Sequence, residues 1–213
     1  MKMFMDPVST PERTKISGGK SASGRLFYFM GPSGVGKDTI LNTLREIKNG
    51  EVFFATRYIT RPVTDGGETH IELSKETFQK KRQEGFFAFA WQSHGFFYGI
   101  SARIFSIMDE GWDVIVNGSR GYFPKAEKVF PDIIPVLVTA SEATVLQRLK
   151  TRGREPEAEI NRRLHRLKNF SIDHKSLIPI ENESTPEAAA NLFLSKAQRK
   201  TSDARLDSCM FEK

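Results

Sequence analysis

The sequence predicts an α/β domain in which a parallel sheet is covered by helices on both faces. Three observations predict it. Apolar runs of strand length alternate with segments of helical periodicity from about residue 25 to residue 197. A glycine-rich turn joins the first apolar run to the first helix. The alternation breaks once, over about 61–100, where short strands and glycines replace it and predict a smaller lobe folded over a substrate.

The elements follow in order. Residues 1–24 are poor in large apolar groups and rich in Ser, Gly, Lys and Pro, a tail by composition. Arg25–Met30 (RLFYFM) is a buried-strand run, and after the glycine turn Ile40, Leu41, Leu44 and Ile47 recur at helical spacing. Val52–Tyr58, Asp113–Asn117, Ile133–Thr139 and Leu177–Ile180 are further strand candidates. In the small lobe, strands are expected at Thr69–Leu73, Phe86–Ala90 and Phe96–Ile100, with one helix capped by Ser74. Thr139 and Glu142 have the spacing of a capping box for a helix running to about Arg152, and another helix is expected at Glu157–Phe170. Thr185 followed by Pro186 opens the last helix by cap and first-turn proline. Residues 198–213 lack pattern and read as a frayed end, leaving one domain over 25–197.

Composition narrows the function classes. Hydrophobic residues make up 38% of the 213, and 16 glycines add to the apolar share, an ordinary globular value that excludes a largely disordered chain. No run approaches a membrane span, and MKMFMDPVST lacks the apolar stretch of a secretory signal. Cys209 is the single cysteine, which excludes a disulfide framework and a cysteine-rich zinc site and fits a reducing compartment. A cytoplasmic protein is expected.

The net charge of +6 is not spread evenly: Arg148–Lys175 holds nine Lys/Arg against four Asp/Glu. A surplus concentrated in one segment suits a small polyanion held there. Nucleic acid, which favours basic residues interleaved with aromatic ones, is not expected as a partner.

The glycine turn, GPSGVGK, comprises Gly31, Pro32, Ser33, Gly34, Val35, Gly36 and Lys37. It has the form of a phosphate-binding loop. Glycines let backbone N–H groups turn inward around a β-phosphate, the lysine neutralises β/γ charge, and the helix N-terminus adds its positive end. That pattern places a Ser or Thr directly after the lysine to meet Mg²⁺; here Asp38 precedes Thr39. Asp38 is either an acid favourable in a first helical turn or a carboxylate ligand of the metal. The strand ending at Asn117 adds weight to the second reading, because such strands usually end in a metal-holding aspartate.

Further blocks follow the loop in order: RYITR at Arg57–Arg61, Glu68 to Ile71, WQSHG at Trp91–Gly95 with Tyr98 and Gly99, NGSR at Asn117–Arg120, and RGRE at Arg152–Glu155. With the loop, they resemble the ribose 1,5-bisphosphate phosphokinases, a branch of the guanylate kinase-like fold, over about Arg25 to Asn182. The resemblance implies a P-loop nucleoside-monophosphate-kinase architecture with an acceptor lobe over about 61–100 and an arginine-rich lid over about 152–163. It implies transfer from ATP, with Mg²⁺, to ribose 1,5-bisphosphate, giving ADP and 5-phosphoribosyl diphosphate in phosphonate breakdown. Guanylate kinases are the alternative. They carry a base-reading glutamate where this chain, aligned through Gly95–Gly99, has Phe89, and paired aspartates where it has Asn117 and Ser119. A non-catalytic binding module of the same fold is opposed by Lys37 and the lid arginines.

By the same resemblance Lys37, Arg152 and Arg163 act on the transferring phosphoryl group. Gly31 to Thr39, Arg154 and Asn182 hold ATP, the last beside adenine. Arg57 and Arg61 grip acceptor phosphate, and Asn117, Ser119 and Arg120 line the acceptor site, with Arg120 a candidate for the second phosphate. His70, His94 and Tyr98 are substrate contacts, although a lone His or Tyr is as often structural. Glu68 meets ribose hydroxyls or belongs to a glycine turn. Phe86, Phe87, Phe89, Phe96 and Phe97 are assigned to packing, and Arg148 and Arg166 to structure or solvent.

Overall fold

A computed structural model describes residues 23–48, 50–63, 69–152 and 172–198. The elements are β1 Leu26–Met30, α1 Lys37–Ile47, β2 Phe53–Phe54, β3 Arg57–Ile59, β4 Ile71–Glu72, α2 Lys75–Gln83, β5 Phe87–Ser93, β6 Phe96–Ser101, α3 Arg103–Asp109, β7 Val114–Asn117, α4 Phe123–Val129, β8 Ile134–Thr139, α5 Glu142–Arg152, β9 Ile178–Glu181 and α6 Pro186–Ala197. No helix among the described residues is long and apolar enough to cross a membrane.

The main sheet is wholly parallel, in the order β2-β7-β1-β8-β9. Its middle strand is buried along its whole length, and the alternation of side chains divides it between two cores. Leu26, Tyr28 and Met30 face a cluster with Ile104, Ile107, Phe123 and Ala126, from α3 and α4. Phe27 and Phe29 face the opposite cluster with Ile40, Leu44, Val145, Leu149 and Phe193, from α1, α5 and α6. The expected helices on both faces are therefore present. Because β1 lies between β7 and β8, chain segments leave its carboxyl end in both directions across the sheet, which opens a crevice there.

The predicted strand Val52–Tyr58 is two strands. Phe53–Phe54 pairs with β7, whereas Arg57–Ile59 turns away to pair with β4 and β6 in a second sheet, ordered β4-β3-β6-β5. The small lobe's sheet thus includes Arg57–Ile59 as well as strands from 69 onward. Helix α2 covers one face of it through Phe78, whose ring stacks on Phe87 at 4.6 Å and Phe97 at 5.5 Å.

Ser74 caps α2 by accepting from Thr77 N at 3.1 Å, and Thr185 caps α6 by accepting from Ala188 N at 3.2 Å, both as expected. Helix α5 departs from expectation. Thr139 ends β8, and Ser141 supplies the cap, accepting from Thr144 N at 3.2 Å. The expected helix Glu157–Phe170 lies outside the described residues.

Candidate active site

The glycine loop leaves the carboxyl end of β1 and opens α1. Gly34 and Gly36 have φ of +92° and +86°, a backbone conformation that L side chains rarely adopt. Gly36 has a second constraint: a Cβ there would lie 2.5 Å from Asn182 Nδ2.

At the start of α1, three side chains interlock. Lys37 Nζ donates to Asn117 Oδ1 at 2.7 Å, and Asn117 Nδ2 donates to Asp38 Oδ1 at 2.8 Å. Lys37 also lies 3.5 Å from that same carboxylate oxygen. The Lys37 side chain is 14% exposed and that of Asp38 58%, so the ammonium is sunk while the carboxylate faces the open crevice. Burial pulls the Lys37 pKa below the usual lysine range, opposed by the Asp38 charge. Burial pushes Asp38 upward, but Lys37, Arg57 and the Asn117 amide outweigh it and hold the carboxyl below its usual value.

A cleft of about 600 Å³ lies over this cluster, walled by the loop (Gly31, Pro32, Ser33), by Arg57, Trp91, Ser93, His94 and Tyr98 from the second sheet, and by Gly118–Gly121 after β7. Arg57 lies over the Tyr98 ring at 5.7 Å, and Tyr98 stacks on Trp91 at 5.4 Å with the planes 7° apart. Burial pulls the Arg57 guanidinium down to about 10, with Asp38 and Tyr98 acting in the other direction, which leaves it a cation at neutral pH. His94 and Gly95, with φ of +49° and +81°, make the two-residue hairpin turn between β5 and β6, and this brings His94 to the cleft. Arg120 lies on the opposite wall, its pKa lowered by burial.

The NGS segment is held from below. Tyr28 OH lies 2.9 Å from Ser119 N, from which it accepts, and 3.1 Å from Ser119 O, to which it donates. Gly118 permits this closeness, since a Cβ there would lie 2.0 Å from Tyr28 Cζ.

A second cavity, of about 450 Å³, lies on the other side of the loop, against Gly36, Thr39, Thr144, Arg148, Asn182 and Glu183. Asn182 Nδ2 donates to Val35 O at 2.7 Å, and its Oδ1 is buried without a partner among the described residues. Arg148 donates to Val35 O at 3.3 Å and to Ser184 O at 3.2 Å, tying the loop to the turn after β9. Glu183 accepts from Ser141 and Thr144 at the start of α5, bracing the same wall.

The structure thus brings Gly31, Pro32, Ser33, Lys37, Asp38, Arg57, His94, Tyr98, Ser119 and Arg120 to one cleft, with Asn117 behind Lys37, and places Gly36, Thr39 and Asn182 at the second cavity. Gly34 and Val35 form the underside of the loop. Gly34 lies against Val145 and Leu149, and Val35 is fully buried. His70 stands apart: it is buried, with Nε2 2.9 Å from the carbonyl of Arg61, and neither residue lines the cleft. Glu68, Arg154 and Arg163 lie outside the described residues, and Arg152 ends α5 with its side chain outside them too. Trp91, Ser93 and Tyr28 belong to the site without having been assigned a role in it, and Arg148, assigned to structure or solvent, braces the loop. The signal for Trp91 and Ser93 was their place two residues apart on a strand running to His94; Tyr28 carried none.

The guanylate kinase family profile matches residues 23–192. The chain is 43% identical over 160 residues to ribose 1,5-bisphosphate phosphokinase PhnN of Desulfomicrobium baculatum, spanning 74% of this chain and 86% of that protein. It is 42% identical over 165 residues to the protein of the same name from Thiobacillus denitrificans, spanning 76% and 87%. Among solved structures, guanylate kinase from Anaplasma phagocytophilum superposes with a TM-score of 0.58 at 16% identity, covering 84% of this chain and 89% of that one, a likeness of fold.

Proposed function

This chain belongs to the ribose 1,5-bisphosphate phosphokinases within the guanylate kinase family, and on that footing we propose that it transfers the γ-phosphoryl group of ATP to the 1-phosphate of ribose 1,5-bisphosphate, giving ADP and 5-phosphoribosyl diphosphate. It is a kinase; the acceptor, donor and product are the proposal.

The observation that carries the acceptor is Phe89. Where guanylate kinases keep a carboxylate for the base edge, this chain buries a hydrocarbon ring, 0% exposed, edge-on to Tyr28 at 6.0 Å and Tyr122 at 6.3 Å. A phenylalanine at that position gives a guanine edge no acceptor, which discriminates strongly against the base. The cleft offers positive charge instead: Lys37, Arg57 and Arg120 against Asp38.

The chemistry asks little of a base. A sugar 1-phosphate is largely a dianion at neutral pH, so its oxygen attacks the γ-phosphorus directly while the bond to the β–γ bridging oxygen breaks and ADP leaves. What opposes the reaction is repulsion between two polyanions. Arg57, fixed over Tyr98, offsets charge on the acceptor. The loop amides and Lys37 offset it on the donor, and the lid residues Arg152, Arg154 and Arg163 complete the screen. The second cavity supports ATP as donor: it adjoins the loop, and the unpartnered Oδ1 of Asn182 lacks a donor such as the adenine amino group.

Mg²⁺ fits Asp38. Its Oδ1 is engaged by Asn117 and Lys37, while its Oδ2 has no hydrogen bond among the described residues, and the side chain lines the cleft. One carboxylate beside substrate phosphates is an ordinary magnesium arrangement, and the ion when bound screens charge between donor phosphates. With Asp38 the one acid among the described residues of the cleft, Asn117 serves to aim it.

The test is ADP release with ribose 1,5-bisphosphate, GMP, ribose 5-phosphate or no acceptor, followed by identification of the product by mass. Turnover with ribose 1,5-bisphosphate alone is expected; turnover with GMP alone would overturn the acceptor.

A further inference from the structure

The acceptor cleft does not end at Arg120. A second chamber of about 460 Å³ adjoins it, sharing Trp91, Ser93, Ser119 and Gly121 as common wall. It runs beside β5, the last strand of the small sheet, with α2 on one flank and α4 on the other. Among the described residues its charged members are Arg82 of α2 and Lys125 of α4, with no acid. Both are exposed, and neither side chain has an ion pair or hydrogen bond among the described residues. Neutral donors lie between them. Gln92, Ser93 and Ser119 line the chamber with them. The edge of β5 also offers backbone. Ala90 N donates outward to Tyr122 OH at 3.3 Å, and the alternation of an antiparallel ladder turns the N–H of Gln92, two residues on, to the same side.

We propose that this chamber is the subsite for the phosphate remote from the reacting one, held by Arg82 and Lys125 across the edge of β5. The inference rests on the acceptor proposed above. A bisphosphorylated sugar has two dianionic ends on a small ring. The reacting end must lie beside the loop, Lys37 and Arg57, so the other end must leave that cluster. Trp91, stacked between Tyr98 and Tyr122, presents its edge to both cavities and forms the apolar step over which the sugar ring passes. Beyond that wall the charges among the described residues are positive. Arg120, on the cleft side, then meets the remote phosphate from one direction, and Arg82 and Lys125 from the other. This arrangement selects a bisphosphate over a monophosphate by charge count, with no base recognised.

Arg82→Gln and Lys125→Gln, singly and together, test it. Each single change is expected to lower kcat/KM for ribose 1,5-bisphosphate about tenfold and the pair about a hundredfold, as loss of charge-assisted contacts would. The KM for ATP and the melting temperature should stay at wild-type values. Arg82→Lys, which keeps the charge, should retain most of the lost efficiency. Inhibition by ribose 1-phosphate, which lacks the remote phosphate, should be the same in the wild type and the double variant. A double variant that uses ribose 1,5-bisphosphate as well as the wild type does would overturn the subsite while leaving the acceptor in place. A wild type that releases no ADP with this sugar would overturn the acceptor, and the subsite with it.

Discussion

Asn117 holds Asp38 by a hydrogen bond of 2.8 Å from Nδ2 to Oδ1, and its own Oδ1 is occupied by Lys37 at 2.7 Å. Asn117 is 6% exposed and stands between the Lys37 ammonium and the Asp38 carboxylate. A carboxylate in its place could accept from Lys37 but could not donate to Asp38.

Asn117→Leu keeps the volume and removes both bonds. Hydrogen bonds to charged groups contribute about 1.5–3 kcal/mol each, so kcat should fall on the order of 10- to 100-fold with the fold intact. The Mg²⁺ concentration for half-maximal rate should rise as the Asp38 carboxylate loses its orientation. Asp38→Ala should weaken the Mg²⁺ response far more than Asp38→Ser, whose hydroxyl restores the usual P-loop ligand. Metal titrations of rate check this. Superimposable curves for the two Asp38 variants would exclude the carboxylate from the metal.

Lys37 gives the pH dependence. Burial depresses its pKa, so raising the pH discharges it in the folded enzyme before it would in an unfolded chain. The unfolded state then carries the extra proton, and this residue's contribution to stability rises with pH while donor capture falls. The profile of kcat/KM for ATP should therefore drop on its alkaline side below the usual lysine range, since that ratio reports the free enzyme. Lys37→Ala should lower kcat at least about 100-fold and abolish that limb. A limb unchanged in the variant would belong to another group.

Much of this was legible in the sequence. The loop was readable because glycine spacing, a preceding strand and a following helix are local features, and two caps, Ser74 and Thr185, lay where their side chains predicted. What escaped depends on partners distant in the chain. Val52–Tyr58 reads as one apolar run, yet the sheet to which each half belongs is decided by β7 and β6. Tyr28 sits among Leu26, Phe27 and Phe29 and reads as core, which it is. Its hydroxyl function appears only when β7 delivers Ser119 91 positions away. Arg148 reads as structural or solvated, and the choice between them waits on the loop carbonyl of Val35, to which it donates.

Tyr28→Phe tests that hidden role. The ring stays, but Ser119 N–H loses its acceptor, at a cost of about 1–3 kcal/mol for a buried donor left unpaired. A lower melting temperature is expected, together with a reduced kcat/KM for the acceptor and an unaltered KM for ATP, because Ser119 lines only the acceptor side. Equal losses for both substrates would assign Tyr28 to general packing.

Gly36 is the converse case, a residue whose substitution should harm the donor side alone. Its φ of +86° makes any L side chain strained, and a methyl group would press on Asn182 Nδ2 at 2.5 Å. Asn182 cannot retreat freely, because that nitrogen donates to Val35 O and its backbone N–H donates to Thr139 O at 2.8 Å. The strain must therefore move the loop, whose amides are the proposed phosphate cradle. Gly36→Ala should raise the KM for ATP at least about tenfold, since small displacements of positioned groups carry large rate costs. Acceptor affinity, measured by calorimetry without nucleotide, should be unchanged, because the Arg57 and Tyr98 wall belongs to the other sheet. Loss of acceptor binding in the same variant would mean that loop and lobe move as one unit.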